Sequence, residues 1–341
     1  MIKYMRYRFC LADITGVAVF ILLILSACSG DTSTMSGNSL QGNEAESLSG
    51  VSQTVSNNEN DNNLTDTPEQ SSSPAGSTKS SDENDAETAL PTKTQAPLDL
   101  NAYPVIPIVS DRAIEIYERG LAMGNDSRKF SKIGDCQNIS TYFLAMFEKD
   151  SRYYTLGEYD YLQDTIDWYR GSLSRESLAV AGGLNVARVL SPFHADVEQC
   201  EPNESSLQCE IRIFNPSIAI VSLEENWGGK TAEDYEGFLR TILDYLISEG
   251  VLPILATKAD NFEGDQGINL TIIKLAAEYE IPLWNFWLAV QPLPNNGLRD
   301  SFYLTYDTPH FDNPDNMKSA WPWRNLTALQ TLDAVWNAVS K

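Results

Sequence analysis

Two short and widely separated runs of the sequence contain the residue types that acyl transfer requires. Ile133-Gly134-Asp135-Cys136 places a thiol after a short apolar segment, and Asp307-Thr308-Pro309-His310 places an imidazole three residues after a carboxylate. The chain has only two histidines, so few groups can shuttle a proton near neutral pH. Nucleophilic catalysis needs a nucleophile, a base and an acid that orients the base. The two runs predict Cys136, His310 and Asp307 in these three roles.

Short apolar runs that alternate with helical patterns must position these groups. The predicted strands are Phe130–Ile133, Ser177–Ala181, Ile218–Leu223, Leu252–Thr257 and Pro282–Phe286. This alternation is typical of a parallel sheet covered on both faces. We therefore predict an α/β fold, a three-layer α/β/α sandwich of the flavodoxin-like type with five mainly parallel strands. Ligands bind such folds beyond the carboxyl ends of the strands, where Cys136, Asn226 and the Asp307–His310 loop are expected.

Helical patterns occur between and after the predicted strands. The clearest runs from about Ala232 to Glu249. Thr231 and Asp234 have the spacing of a capping box, and Gly250 follows the end of the helix. Its apolar face is predicted to comprise Tyr235, Phe238, Ile242, Tyr245 and Leu246. A second helix is predicted at about Leu270 to Tyr279. A third closes the chain, with an apolar side of Leu326, Leu329, Leu332, Trp336 and Val339.

The N-terminal residues 1–28 have the composition of a targeting segment. A basic start precedes a mostly apolar stretch that is shorter than the about 20 residues needed to span a membrane, which indicates a signal peptide. The stretch ends in Leu25-Ser26-Ala27-Cys28, which resembles the lipobox of bacterial lipoproteins. Cleavage there would make Cys28 a lipidated N-terminus and hold the protein on the extracytoplasmic side of the bacterial membrane. The alternative is an uncleaved anchor in which Cys28 is incidental.

Residues 29–98 differ in composition from the rest of the chain. They are rich in Ser, Thr, Asn, Asp, Glu and Gly and contain no aromatic residue. Such a segment cannot bury enough apolar surface to offset its ordering entropy. We predict a disordered, acidic tether that acts as a spacer, followed by one folded domain at residues 99–341.

Charge and cysteine content restrict the partners and the compartment. The net charge of −23 and the absence of a Lys/Arg cluster argue against nucleic acid as a partner. Cys200 and Cys209 flank a short polar loop and could form a disulfide outside the cytosol. A metal site is not predicted, because the chain lacks a second cysteine pair and has only His194 at all close in sequence. No cofactor is predicted. An exported chain that keeps Cys136 as a thiol invites a functional explanation.

The order of these runs resembles that of the SGNH, or GDSL-like, hydrolase family over roughly residues 128–341. Gly134-Asp135-Cys136 matches the first block, with Cys at the position of the nucleophilic Ser. Gly183 best matches the glycine whose N–H helps to form the oxyanion hole. Asn226 falls where the third block reads Gly-x-Asn-Asp. The Asp307–His310 run matches the Asp-x-x-His block that supplies the acid and the base.

The resemblance implies an esterase or lipase type of hydrolase with a small-molecule, lipid or acylated-glycan substrate. Cys136 would attack the ester carbonyl, His310 would protonate the leaving alcohol, and Asp307 would hold the imidazole tautomer. Cys136, Gly183 and Asn226 would form the oxyanion hole. The thiol pKa would fall at the start of a helix that opens near Gln137 with Asp135 as its cap.

Several positions depart from the family pattern. Glu224 and Glu225 precede Asn226, and Trp227 follows it where the family has Asp. A carboxylate directed at the thiolate would oppose it, because like charges about 4 Å apart interact by roughly 4 kcal/mol at an effective dielectric constant of about 20. The alternative function is therefore a degenerate, non-catalytic module that binds a glycan or an acylated ligand. Its groove would be lined by Trp227, Phe311, Trp321 and Trp323.

Overall fold

The computed structural model describes residues 98–223 and 230–340. Within them, one sheet contains four parallel strands in the order β1-β2-β3-β4. The strands are β1 (Asp126–Gly134), β2 (Pro216–Ser222), β3 (Leu252–Ala256) and β4 (Leu283–Trp284). Every residue of β2 and β3 is buried, as expected for strands covered on both faces. The predicted class, a parallel α/β sheet flanked by helices, is confirmed.

Helices connect and cover the strands. They are α1 (Asp111–Met123), α2 (Gln163–Trp168), α3 (Ser206–Phe214), α4 (Ala232–Ser248), α5 (Gly267–Tyr279), α6 (Phe286–Val290) and α7 (Ala320–Val339). α1 packs against β2, β3 and α7, whereas α4 and α5 pack against each other and against β3. None of the helices in the described ranges is both long and apolar enough to cross a lipid bilayer.

The predicted strand Ser177–Ala181 forms a single parallel bridge, between Val180 and Gly134, rather than a ladder. The Gly134 N–H donates to the Ala179 carbonyl at 3.0 Å, and the Ala181 N–H donates to the Gly134 carbonyl at 3.3 Å. The segment therefore lies beside the end of β1, on the side away from β2. The expectation of five strands is corrected to four strands and one bridge.

The last predicted strand is shorter than expected because a helix begins inside it. The Asn285 side chain accepts a hydrogen bond from the Leu288 N–H at 3.2 Å, so Asn285 caps α6. Cap residues favour turns and helix starts over strand interiors. β4 consequently ends at Trp284.

Helix α4 closely matches its prediction. The Thr231 side chain accepts from the Asp234 N–H at 3.0 Å and caps the helix, which is followed by Gly250 at φ 68°. The expected apolar face is wrong at Phe238, which is 39% exposed, whereas Leu239 is fully buried. At this turn, the buried face of the helix therefore includes Leu239 in place of Phe238, one residue later than predicted.

Candidate active site

Cys136 follows β1 in a single 3-10 turn, Cys136–Asn138. Asp135 is buried and caps this turn, its Oδ1 accepting the Gln137 N–H at 3.0 Å. Ile139 is already extended, so the helix expected after the thiol is not formed. One turn lacks the aligned peptide dipoles of a helix, so the expected position of the thiol at a helix N-terminus is corrected to a position in one capped 3-10 turn. Cys136 is half-buried and lies outside the disulfide.

A buried hydrogen-bond cluster holds the turn against the sheet. The Asn138 Nδ2 donates to the Ser222 carbonyl at 3.0 Å, which ties the turn to the end of β2. The Arg324 Nη2 donates to the Ser222 Oγ at 2.8 Å and to the Asn138 Oδ1 at 3.4 Å. A Cβ at Gly134 would come within 2.1 Å of the Asn138 Nδ2, so the Gly of the first motif is required by this contact.

A buried carboxylate, that of Glu210, holds the segment that leads to Gly183, the candidate oxyanion glycine. Glu210 in α3 is fully buried, forms an ion pair with Arg175, and accepts the Leu178 N–H at 2.9 Å. Gly183 lies at φ 79°, a conformation that favours glycine, and its carbonyl accepts from the Arg188 Nη1 at 2.6 Å. The positive φ explains why glycine occupies the position.

His310 is joined to a segment that the sequence did not single out. Thr155 and His310 form a parallel bridge, with the Thr155 N–H donating to Pro309 at 3.2 Å and the Phe311 N–H donating to Thr155 at 3.0 Å. The His310 Nδ1 lies 3.3 Å from the Thr155 Oγ1. The Asp307 Oδ1 accepts the Thr308 N–H at 2.8 Å. Within the described residues, no hydrogen bond joins Asp307 to His310, so the expected orienting contact is not formed there.

The chain after His310 packs against the chain that follows Cys136. The Asn325 Oδ1 accepts the Leu144 N–H at 2.8 Å, and its Nδ2 donates to the Tyr142 carbonyl at 3.1 Å. The rings of Phe311 and Phe147 lie 6.2 Å apart between centroids. In the described part of the chain the Cys136 thiol and the His310 imidazole form no mutual hydrogen bond. Such catalytic contacts are often long before substrate binds.

Several predicted positions lie outside the described residues and stay predictions. They are Glu224, Glu225, Asn226 and Trp227 at the candidate site, and the signal peptide with Cys28 and the tether in the N-terminal part.

The predicted disulfide between Cys200 and Cys209 is confirmed, with a Cα–Cα distance of 5.3 Å. Among the described residues, Cys200, Glu204 and Cys209 have potential metal-ligand atoms within 4.8 Å of one another. Both sulfurs are used by the disulfide, so this group does not offer thiolate ligands to a metal.

Two cavities border the candidate site. One of about 350 Å³ is lined in part by Ile139, Val180, Ala181 and Gly182, which belong to the segments after Cys136 and before Gly183. Its lining also includes the polar residues Arg175, Glu176, Asp196 and Gln199. A groove of about 410 Å³ adjoins His310 on another side and is lined by Glu158, Tyr159, Phe311, Asp312, Pro314, Met317 and Trp323.

Sequence reasoning missed Lys132, a buried lysine inside β1. Its Nζ donates to the Ser140 Oγ at 2.7 Å and to the Leu173 carbonyl at 3.0 Å. Burial lowers the pKa of Lys132 to about 8, against the opposing effect of nearby Glu176 and Glu210. The sequence did contain a sign of this buried lysine, because Lys132 lies inside the predicted strand Phe130–Ile133.

Arg324, in α7, is a second buried cation and is fully buried. Its guanidinium carbon lies 5.1 Å from the ring centroids of Phe143, Trp284 and Phe286. Among the residues that the structure describes, its Nε and Nη1 have no hydrogen-bond partner. The aromatic faces and Ser222 are therefore its main stabilising contacts.

No protein-family model and no curated protein match the chain. Among solved structures, it is similar to an acetyl xylan esterase, with 16% identity, a TM-score of 0.37 and coverage of 62% of this chain and 99% of that one. It is also similar to a GDSL-like lipase from Bacteroides thetaiotaomicron, with 13% identity, a TM-score of 0.37 and coverage of 67% and 100%. An esterase of the SGNH-hydrolase family matches with 19% identity, a TM-score of 0.32 and coverage of 63% and 96%. Because these TM-scores are below 0.5, our functional proposal depends on the motifs and the site geometry.

Proposed function

We propose that the chain is an ester hydrolase of the SGNH type in which Cys136 becomes acylated and His310 transfers protons. The observation that carries the proposal is the packing of the segment after His310 against the segment after Cys136, through Asn325 and the Phe311 ring. The two runs that carry the required groups are far apart in the sequence, and the segments that follow them contact each other. This contact supports a site in which Cys136 and His310 lie at the carboxyl edge of the sheet. This is the edge at which α/β folds bind ligands.

The reaction would proceed in two halves. His310 accepts the thiol proton, the Cys136 sulfur attacks the carbonyl carbon, and collapse of the tetrahedral intermediate expels the alcohol, which takes the proton from His310. A water molecule then loses a proton to His310 and attacks the thioester, which releases the acid and restores the thiol. Gly183 and Asn226 are proposed as oxyanion donors together with the Cys136 N–H, and Asp307 is the acid that the family resemblance assigns.

The cavity of about 350 Å³ supports a substrate with a polar part. Its apolar lining includes Ile139, three residues after Cys136, and can contact a short acyl group. The lining also contains Arg175 and Glu176, which can hydrogen bond to hydroxyl groups. We therefore favour short acyl esters of polar alcohols, acylated glycans included, over long-chain lipids.

The proposed location is the extracytoplasmic face of the bacterial membrane, with a lipid anchor at Cys28. The Cys200–Cys209 disulfide supports export, because disulfides persist mainly in oxidising compartments. Several acyl chains on one cysteine would anchor the protein firmly, since a single chain binds only marginally.

The second candidate function is a binding module without turnover. The groove of about 410 Å³ favours it, because Tyr159, Phe311 and Trp323 supply aromatic surface beside the carboxylates of Glu158 and Asp312. Aromatic rings and acceptors are a suitable combination for a sugar. Trp321 is half-buried and is not part of this lining.

Intact mass after incubation with an aryl acetate tests the proposal. An acetyl adduct that maps to Cys136 and disappears with turnover is expected for the wild type. Cys136→Ala should lose both the adduct and at least about 1000-fold in kcat/KM. His310→Gln should keep its circular dichroism spectrum and lose a similar factor.

Cys136→Ser distinguishes the two candidates further. A hydroxyl in the same capped turn should support hydrolysis of the aryl ester if the remaining groups are functional. Folded protein that is inactive in both the Cys136 and the Ser forms, but binds an acetylated oligosaccharide, would refute the hydrolase and support the binding module.

A further inference from the structure

We propose that Thr155 and Asp312 orient the His310 imidazole, so that Nδ1 holds the proton and Nε2 is left to act as the base. The inference rests on the proposed function of His310. It assigns the orienting carboxylate to a position two residues after the histidine, reached through a hydroxyl, rather than to Asp307 three residues before it.

The backbone fixes Thr155 next to His310. Two hydrogen bonds flank the histidine, from the Thr155 N–H to Pro309 and from the Phe311 N–H to Thr155. In a parallel bridge of this kind, the paired residues direct their side chains to the same side. Thr155 and His310 are such a pair, so their contact at 3.3 Å follows from the register.

The direction of the hydrogen bonds follows from the groups present. A threonine hydroxyl has one proton, and the Thr155 Oγ1 donates it to the Asp312 Oδ1, because an ionised carboxylate can only accept. The Thr155 oxygen therefore faces the His310 Nδ1 with a lone pair. The arrangement is complete only when Nδ1 is protonated, which leaves the lone pair of the neutral ring on Nε2.

The loop geometry brings Asp312 close to this hydroxyl. Gly157, two residues after Thr155, has φ 57°, a conformation that disfavours residues with a Cβ. A Cβ there would lie 3.1 Å from the Asp312 Cβ and 3.3 Å from its backbone nitrogen. Glycine at this position permits the approach that the Thr155–Asp312 contact needs.

Asp307 is engaged elsewhere. Its Oδ1 accepts the N–H of the next residue, Thr308, at 2.8 Å. Thr308 is fixed in turn by the Asn316 Nδ2, which donates to its carbonyl at 3.0 Å and to its Oγ1 at 2.7 Å. Asp307 therefore stabilises its own turn, and within residues 98–223 and 230–340 the Thr155 hydroxyl is the side-chain group that lies within hydrogen-bond distance of the imidazole.

The test measures the His310 tautomer by the 15N shifts of the neutral imidazole in alkaline buffer. The chain has one other histidine, and His194→Gln assigns the two sets of signals. Wild type and Thr155→Ser should show a proton on Nδ1. Asp312→Ala should move the proton mainly to Nε2, because the Thr155 hydroxyl is then released to donate to Nδ1.

Two controls accompany Asp312→Ala. Asp315→Ala removes an exposed carboxylate from the same loop, one that pairs with Lys318, and should leave the tautomer unchanged. Thr155→Val removes the hydroxyl and should abolish the preference for Nδ1. A tautomer that changes in Asp307→Asn but not in Asp312→Ala would overturn the inference, as would Nε2–H in the wild type.

Ester hydrolysis supplies a second and separate readout. Asp312→Ala should lower kcat by on the order of 100-fold or more with little change in KM, as expected when the base has the wrong tautomer. Thr155→Ser keeps the hydroxyl and removes the methyl group, so it should retain most of the activity. A loss of activity in this variant would indicate that Thr155 acts through packing of its methyl group. If the wild type hydrolyses no ester, the proposed function fails, while the 15N shifts still decide the tautomer.

Discussion

Gly134 allows the Asn138 side chain to pack against β1, and Asn138 belongs to the turn that carries the Cys136 thiol. A Cβ there would overlap the whole Asn138 side chain, at 2.1 Å from Nδ2 and 2.7 Å from Cβ. Asn138 is buried and bonded to the Ser222 carbonyl, so it cannot move without losing that bond. The motif glycine therefore has a steric reason that is independent of catalysis.

We expect Gly134→Ala to destabilise the protein by about 2 kcal/mol, since overpacking in a buried region typically costs 1–3 kcal/mol. Urea unfolding measures the change. Gly237→Ala is the matched control, because Gly237 lies in α4 with no atom within 4 Å of an added Cβ. The control should gain up to about 1 kcal/mol from helix propensity. Equal effects at both positions would contradict the steric argument.

Lys132 predicts a specific dependence of stability on pH. Its folded pKa of about 8 lies below the ordinary value of 10.5, because burial disfavours the charged amine. Between these two pH values the unfolded chain binds more protons, so stability rises with pH. Lys132→Met should abolish this rise, on the order of 2 kcal/mol between pH 8 and pH 10. Urea unfolding curves of wild type and Lys132→Met at several pH values measure this rise in the free energy of unfolding. The same rise in both proteins would contradict the prediction.

The site residues differ in how far the sequence could predict them. Gly134, Cys136 and His310 belong to local motifs, and local spacing is visible in a sequence. Thr155 is part of the site only through a bridge between segments that are more than a hundred residues apart. Arg324 is polar and sits at a helix start, so its burial among aromatic rings depends on tertiary packing alone.

At the scale of elements, a buried ion pair holds the segment that carries the candidate oxyanion glycine. Glu210 is fully buried and Arg175 is 22% exposed, so breaking the pair leaves a charge in the interior. We expect Arg175→Met to cost about 3 kcal/mol in the free energy of unfolding.

The matched control for this pair is Arg152→Met. Arg152 pairs with Asp150 on the surface, with side chains 80% and 51% exposed, and its loss should leave the free energy of unfolding nearly unchanged, because solvent screens the pair. Urea denaturation compares the two variants, and a loss at Arg175 no larger than at Arg152 would contradict the inference.

The elements were predictable where periodicity and caps agree. α4 has both signals, and its bounds matched within about a residue. The segment at residues 177–181 has strand composition, yet it makes only one bridge, because its first half is held by Glu210 instead of a neighbouring strand. β4 is short because Asn285 prefers to cap a helix. Both differences reflect side-chain contacts that a local pattern does not reveal.

At the scale of the whole molecule, the Cys200–Cys209 disulfide closes a small loop at the start of α3. Closing a loop of about ten residues contributes roughly 2–3 kcal/mol by reducing the entropy of the unfolded chain. The double variant Cys200→Ala/Cys209→Ala should lose about that amount in urea unfolding. Wild type in a reducing agent should show the same loss, and no loss in either case would refute a stabilising role.

The parallel topology of the molecule followed from the alternation of strands and helices. The same topology predicts that Cys136 and the Asp307–His310 loop lie at one edge, since the carboxyl ends of parallel strands share an edge. The actual contact partners, such as Asn325 with Leu144, depend on how α7 lies against the sheet. No local pattern encodes that placement.

The short spacing of the two bridged cysteines has a consequence for which disulfide forms first when the chain is oxidised. During oxidation, a third thiol at Cys136 competes for either partner, and a mispaired bond would consume the proposed nucleophile. The loop between Cys136 and Cys200 is several times longer than the native one, which costs roughly 1.5 kcal/mol more to close. Proximity along the chain thus biases the first bond toward the correct pair by about tenfold. This bias favours a reduced Cys136 even before tertiary structure forms.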